Sequence, residues 1–156
     1  MTSMIIELRP ATPADDDFCY RLHQAALGEH VTAIWGWDEK AQREYHRRAF
    51  DPDSWMIITA DGADVGMIDI DYRAEEIYLG RIEILPDHQG RGIGTRLIEP
   101  LLAEADRRGQ DLILDVLAVN RRAIAFYRRL GLHEVSRHGP NDIKIRMRYV
   151  AGSGTR

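Results

Sequence analysis

Three glycines at alternate positions, Gly90, Gly92 and Gly94, stand between an apolar run that stops at Pro86 and an amphipathic run that reaches Arg108. Every second residue from 90 to 94 lacks a side chain. The backbone there turns tightly and brings several N–H groups toward one point. The following run places Leu97, Ile98, Leu101, Leu102 and Ala105 at helical spacing. Its first turn adds free N–H groups and the positive end of a helix dipole. Strand, glycine turn and helix start together suit a phosphate or pyrophosphate, with Arg91 and Arg96 adding charge. The spacing is neither the G-x-G-x-x-G of dinucleotide-binding folds nor a P-loop. Taken alone, the segment also reads as a plain link between strand and helix.

With 156 residues, 44% of them apolar, the chain reads as a single domain over 1–150 with a small polar tail at 151–156, expected to fray. A chain of this size buries enough surface to fold without disulfides or a structural metal. It has one cysteine, Cys19. No apolar run approaches the roughly 20 residues of a bilayer span, and Met1 to Leu8 is too short and acidic for a signal peptide. A cytoplasmic location away from membranes is expected. The six histidines show no ligand spacing and read as surface or loop residues, so no metal is expected.

Charge is uneven. Residues 1–80 carry 7 Lys and Arg against 16 Asp and Glu, a formal −9; residues 81–156 carry 14 against 9, a formal +5. A basic half suits a phosphorylated ligand and an acidic half a cationic one, although solvated surface charge gives the same count. A net acidic chain without a basic stripe interleaved with aromatics lacks the footprint of a nucleic-acid binder.

Apolar periodicity predicts the order β-α-α-β-β-β-α-β-α-β-β. The strands are Met4 to Arg9, Ser54 to Ala60, Asp64 to Tyr72, Ile77 to Leu85, Leu112 to Val119, Leu132 to Arg137 and Ile143 to Tyr149. A first helix starts at Thr12-Pro13, buries Phe18, Leu22 and Ala25 or Ala26, and stops at Gly28. A second runs from Asp38 to Phe50, with Trp35 and Trp37 in the loop before it, as core plugs or as the lining of an acceptor pocket. The third carries Pro100, which should bend or loosen it. The fourth is Asn120 to Leu130, closed by Gly131. The fold class is α/β of the α+β kind. A mixed, mostly antiparallel twisted sheet of six or seven strands is flanked by four helices on both faces, with one strand-helix-strand unit at 77–119 setting two strands parallel.

Downstream of the glycine loop lies Asn120-Arg121-Arg122-Ala123-Ile124-Ala125-Phe126-Tyr127-Arg128-Arg129-Leu130-Gly131-Leu132. The two segments together resemble the GNAT superfamily of N-acetyltransferases. The loop matches its Gln/Arg-x-x-Gly-x-Gly/Ala signature at Gln89, Gly92 and Gly94. The later segment matches Asn-x-x-Ala-x-x-x-Tyr-x-x-x-Gly-Phe at Asn120, Ala123, Tyr127 and Gly131, with Leu132 in place of the phenylalanine. The match is close over 77–132, and the element order fits nearly the whole chain.

The resemblance implies acetyl-CoA as cosubstrate and an amine as acceptor. The pyrophosphate would sit on Gln89, Gly90, Arg91, Gly92, Ile93, Gly94 and Thr95. Backbone groups of Ile82, Glu83 and Ile84 would meet the pantetheine arm at a strand bulge, and Asn120 would contact the arm. Tyr127 falls at the family's proton-donor position. The general base stays open. Asp115, in Leu112-Ile113-Leu114-Asp115-Val116, matches the acidic residue of the ribosomal-protein N-terminal acetyltransferases. Glu83 at the bulge is the alternative, and deprotonation through water a third. Tyr78 stands where the histone-acetylating branch has its glutamate. Asp69 and Asp71 share one strand face and would attract a cationic acceptor, or are simply solvated. Monomer and homodimer are both compatible with the resemblance. A non-catalytic acyl-CoA-binding sensor is the competing reading.

Overall fold

The computed structural model describes residues 3–154. Among them lie β1 (Ile6–Pro10), α1 (Asp16–Trp35), α2 (Glu39–Ala49), β2 (Trp55–Ala60), β3 (Ala63–Tyr72), β4 (Glu76–Ile84), α3 (Ile93–Arg108), β5 (Asp111–Leu117), α4 (Arg121–Arg129), β6 (His133–His138) and β7 (Lys144–Tyr149). The order is the predicted one. The strands form one seven-stranded sheet, β1-β2-β3-β4-β5-β7-β6. β4 and β5 are parallel, joined through α3 as the strand-helix-strand pattern requires. β1 with β2, β2 with β3, β5 with β7 and β6 with β7 are antiparallel. The β4–β5 register runs from Glu76↔Asp111 to Leu79↔Leu114; β4 continues to Ile84 and β5 to Leu117.

Two compact units divide the chain: the first runs through Asp69 and takes in Arg81–Ile93, and the second holds Ile70–Gly80 and the chain from Gly94 onward. In the first, Ala11, Cys19, Leu22, Trp55, Ile57 and Met67 form a buried cluster, with Phe18, Ala49, Phe50 and Leu85 packed on it. Helix α1 departs from its expected end. It runs through Gly28 and stops only at Gly36, whose φ is +75°. A glycine inside a helix costs about 1 kcal/mol relative to alanine. Continuing the helix buries Val31 and adds backbone hydrogen bonds, which outweigh that cost. The buried face is Cys19, Tyr20, Leu22, His23 and Val31, whereas Ala25 is exposed. Trp35 becomes the last helical residue and is 59% exposed, so it plugs no core. Trp37 lies in the short loop, its ring 6.5 Å from that of Tyr20 and its indole N–H donated to Glu39 at 3.0 Å.

Gly66 fixes how closely β3 approaches β4. A methyl group there would run into the carbonyl oxygen of Glu83 and come within 3.3 Å of the Ile84 Cα. The next contact along, Leu85 N–H to the Val65 carbonyl, is 2.8 Å. The missing side chain of Gly66 therefore sets the backbone position of Glu83.

In the second unit, Ile77, Leu79, Ile98, Ala105, Leu112, Ile113, Leu114, Ile145 and Met147 are buried. β5 is apolar and buried over 112–114, as befits a strand paired on both sides. Edge strand β6 is exposed along its length, and Glu134, Arg137 and two histidines blunt that edge. α3 runs through Pro100, which is exposed. In the C-terminal tail, Ala151 N–H donates to Asp111 at 2.9 Å and Gly152 N–H to Asp106 at 2.6 Å. Thr155 and Arg156 lie outside the described residues. No helix among the described residues is long and apolar enough to cross a membrane.

Candidate active site

Glu83 lies near the end of β4, 4% exposed. Its Oε2 is 2.7 Å from Nδ1 of His23 on α1, and its Oε1 is buried without a hydrogen-bond partner among the described residues. The tautomer of His23 follows from that contact: an ionised Glu83 requires the proton on Nδ1. Around the pair, the Tyr45 ring lies 6.0 Å from the His23 ring, and the Tyr45 hydroxyl accepts from Arg81 at 3.1 Å. The Arg81 guanidinium sits over the Trp55 ring at 5.0 Å.

Spacing alone does not single out His23. The histidines read in sequence as surface or loop residues, but His23 and His46 are 6% and 5% exposed. Each is tolerated inside because a carboxylate meets it, Glu83 for His23 and Asp16 for His46 at 2.7 Å. The available signal was register, since His23 falls on the same helix face as Cys19 and Leu22 once α1 is read through Gly28.

A short 3-10 turn, Pro86–His88, follows β4. The Gln89 side chain folds back and donates to the Ile84 carbonyl at 2.8 Å. Gly90 and Gly92 have φ of +74° and +83°. A Cβ at Gly92 would meet nothing within 4 Å, so the loop is open at that point. Ile93, which starts α3, is buried and anchors the turn. Gly94 does a different job. A Cβ there would lie 3.0 Å from the Phe126 ring, so this glycine lets α3 pack closely on α4. An open backbone cradle leading into the unpaired N–H groups of a 16-residue helix fits a pyrophosphate.

On α4, the Asn120 side chain accepts from Ala123 N–H at 3.2 Å and caps the helix. Tyr127 is buried. Burial pushes its phenol up to about 12. Arg121, Arg122, Arg128 and Arg129 are exposed.

Asp115 is fully committed within the second unit. It accepts from the Tyr78 hydroxyl at 3.0 Å, from His138 Nε2 at 3.0 Å and from Arg146 through Nε at 3.1 Å and Nη2 at 3.0 Å. Burial works against its charge, but the hydrogen bonds from Arg146, His138 and Tyr78 win and hold the carboxyl at about 2. A carboxylate so acidic and so occupied is a weak proton acceptor. Asp71 is likewise engaged, with Arg73 at 2.9 Å.

The Asp115 network makes stability depend on pH. Its folded value lies below the ordinary 3.8, so its contribution is complete above about pH 4 and fades as pH falls toward 2, by about 2 kcal/mol in all. The gap in urea-unfolding free energy between the parent and Asp115→Asn should therefore shrink from pH 5 to pH 2. A gap that holds constant over this range contradicts the assignment.

Among the described residues, no three His, Cys, Asp or Glu side chains gather so as to hold a metal ion. A family model described as the acetyltransferase (GNAT) family matches residues 17–132. An uncharacterized N-acetyltransferase of Methanocaldococcus jannaschii is 35% identical over 92 residues, which span 54% of this chain and 41% of that protein. The ribosomal protein bS18 alanine N-acetyltransferase of Escherichia coli is 41% identical over 63 residues, 40% of this chain and 43% of that enzyme. The chain thus spans less than half the length of these curated relatives. Among solved structures, the PaiA N-acetyltransferase of Thermoplasma acidophilum in complex with coenzyme A matches with a TM-score of 0.75 at 17% identity, over 94% of this chain and 99% of that one, a likeness of fold.

Proposed function

As this chain belongs to the acetyltransferase (GNAT) family, we propose that it transfers an acetyl group from acetyl-CoA to a primary amine of a small molecule or peptide, with residues 1–150 acting as one acetyltransferase domain. What carries this reading is the Gln89–Thr95 loop. Two glycines at positive φ and open space over Gly92 lead into the first turn of α3. The coenzyme A in the Thermoplasma structure supports the same assignment.

When bound, acetyl-CoA supplies a thioester whose carbonyl carbon the amine attacks and whose sulfur leaves as a thiolate. Gln89, Gly90, Arg91, Gly92, Ile93, Gly94 and Thr95 hold the pyrophosphate through backbone N–H groups. Backbone groups of Ile82, Glu83 and Ile84 orient the pantetheine arm, and the Asn120 amide meets it while its oxygen caps α4. An alkyl ammonium has an ordinary pKa near 10.4, so at neutral pH it needs a proton acceptor before it can attack. Glu83 fills that role better than Asp115, because Oε1 has an unused lone pair, whereas all of Asp115 is engaged. Proton transfer to Oε1 can run directly or through one water. Tyr127 Oη holds the proton that the departing sulfur takes up. The ammonium loses two protons in becoming an amide: one leaves through Glu83 to solvent, and the other replaces the proton Tyr127 gives.

Thermal unfolding with excess acetyl-CoA, beside free CoA, tests this reading. Ligand at 100 times its dissociation constant adds about 2.7 kcal/mol, a rise of roughly 5 to 10 °C for a domain this size. Thiol release with spermidine, lysine or an alanyl peptide then reports transfer. A rise without thiol release reduces the chain to an acyl-CoA-binding module, and no rise with either ligand removes the cosubstrate altogether.

A further inference from the structure

We propose that His23 is a positioning residue for proton abstraction, holding Glu83 by one oxygen so that the other is presented to the acceptor amine. This rests on Glu83 being the proton acceptor. His23 projects from the buried face of α1, beside Cys19 and Leu22, into the first unit. Its Nδ1 is 2.7 Å from Glu83 Oε2, and the two side chains are 7% and 2% exposed.

The distinguishing observation is the other oxygen. Glu83 Oε1 is buried with no partner among the described residues. Burying a carboxylate is costly unless its lone pairs are satisfied, and a pair installed only for packing would satisfy both oxygens. Asp115 in the same chain shows what full satisfaction looks like, with four donors on its two oxygens. Glu83 is instead satisfied at Oε2 alone, and Oε1, buried and without a partner among the described residues, is the atom we assign to the substrate donor.

His23 donates Nδ1–H to Oε2, which fixes the carboxylate rotamer and stabilises its charge. Gly66 fixes the backbone of the same residue from the β3 side. In the step itself, an N–H bond of the ammonium breaks, its electron pair stays on nitrogen, and an O–H bond forms on Oε1, directly or through one water. Glu83 becomes a neutral acid that still accepts from His23 at Oε2. The proton then passes to solvent and restores the carboxylate.

Three variants and one spectrum test this. His23→Leu removes the donor, and kcat should fall about tenfold to hundredfold, with the melting-temperature rise given by acetyl-CoA unchanged. His23→Asn places an amide N–H where Nδ1 was and should restore most of the loss, which a role in packing alone would not produce. Nitrogen-15 NMR of the unliganded protein should find His23 protonated at Nδ1, and Glu83→Gln should perturb that resonance. Turnover in His23→Leu that matches the parent, failure of His23→Asn to recover rate, or a proton on Nε2 alone would overturn the proposal. Glu83→Gln separates the two levels. If it keeps full turnover, the proton-acceptor reading fails first. If it is inactive while His23→Leu is unaffected, only the role of His23 falls. The NMR arm stands even where no amine in the panel is turned over.

Discussion

Tyr127→Phe is expected to lower kcat by about a hundredfold or more, while acetyl-CoA raises the melting temperature of the variant as it does that of the parent. The change deletes one oxygen. The ring that carries it sits on a buried helix face beside Ile124 and Phe126, and phenylalanine keeps that ring. A loss of rate with the acetyl-CoA-induced rise in melting temperature intact therefore belongs to the chemistry and not to folding. With its phenol pushed up to about 12, Tyr127 carries its proton throughout the neutral range, and it gives that proton up only as the sulfur gains charge. Thiol-release kinetics over a range of amine concentrations check the split. Unchanged kcat would remove Tyr127 as the donor, and a higher KM with unchanged kcat would make it a wall of the pocket.

The order of elements, the parallel β4–β5 pair and the glycine loop were legible because each depends on local signals: alternation, helical spacing and backbone freedom. The features that escaped the sequence are those set by tertiary partners. Gly28 reads as a helix stop, yet burial of Val31 carries α1 past it to Gly36. His23 reads as a surface histidine until a residue sixty positions away supplies its carboxylate. Asp115 reads as a proton acceptor because its neighbours in sequence fit a motif. Its partners come from other strands and from the end of β6, and they turn it into an anchor. Gly90, Gly92 and Gly94 look equivalent in sequence but divide in structure. Gly90 and Gly92 adopt positive φ, whereas Gly94 makes room for Phe126. A motif thus names the residue types correctly and leaves their division of labour to packing.

Gly92→Asp is expected to weaken acetyl-CoA binding on the order of hundredfold. Two effects enter, and Gly92→Ala separates them. At φ +83° any side chain is strained, so both variants lose some stability, about 1 kcal/mol each. The added Cβ, common to both, meets nothing within 4 Å. Alanine therefore reports the strain alone, and its affinity should fall by less than about tenfold if the loop keeps its path. Aspartate adds a negative charge where the pyrophosphate is proposed to sit. At about 5 Å and an effective dielectric near 20, one pair of like charges costs about 3 kcal/mol, which is about hundredfold in affinity. That part is screened by salt, so raising ionic strength should recover affinity in Gly92→Asp and not in Gly92→Ala. Equal affinity in both variants at low salt would mean that the loop only joins β4 to α3. A salt-dependent gap between them would place the phosphate charge at Gly92, because strain does not respond to ionic strength and charge repulsion does.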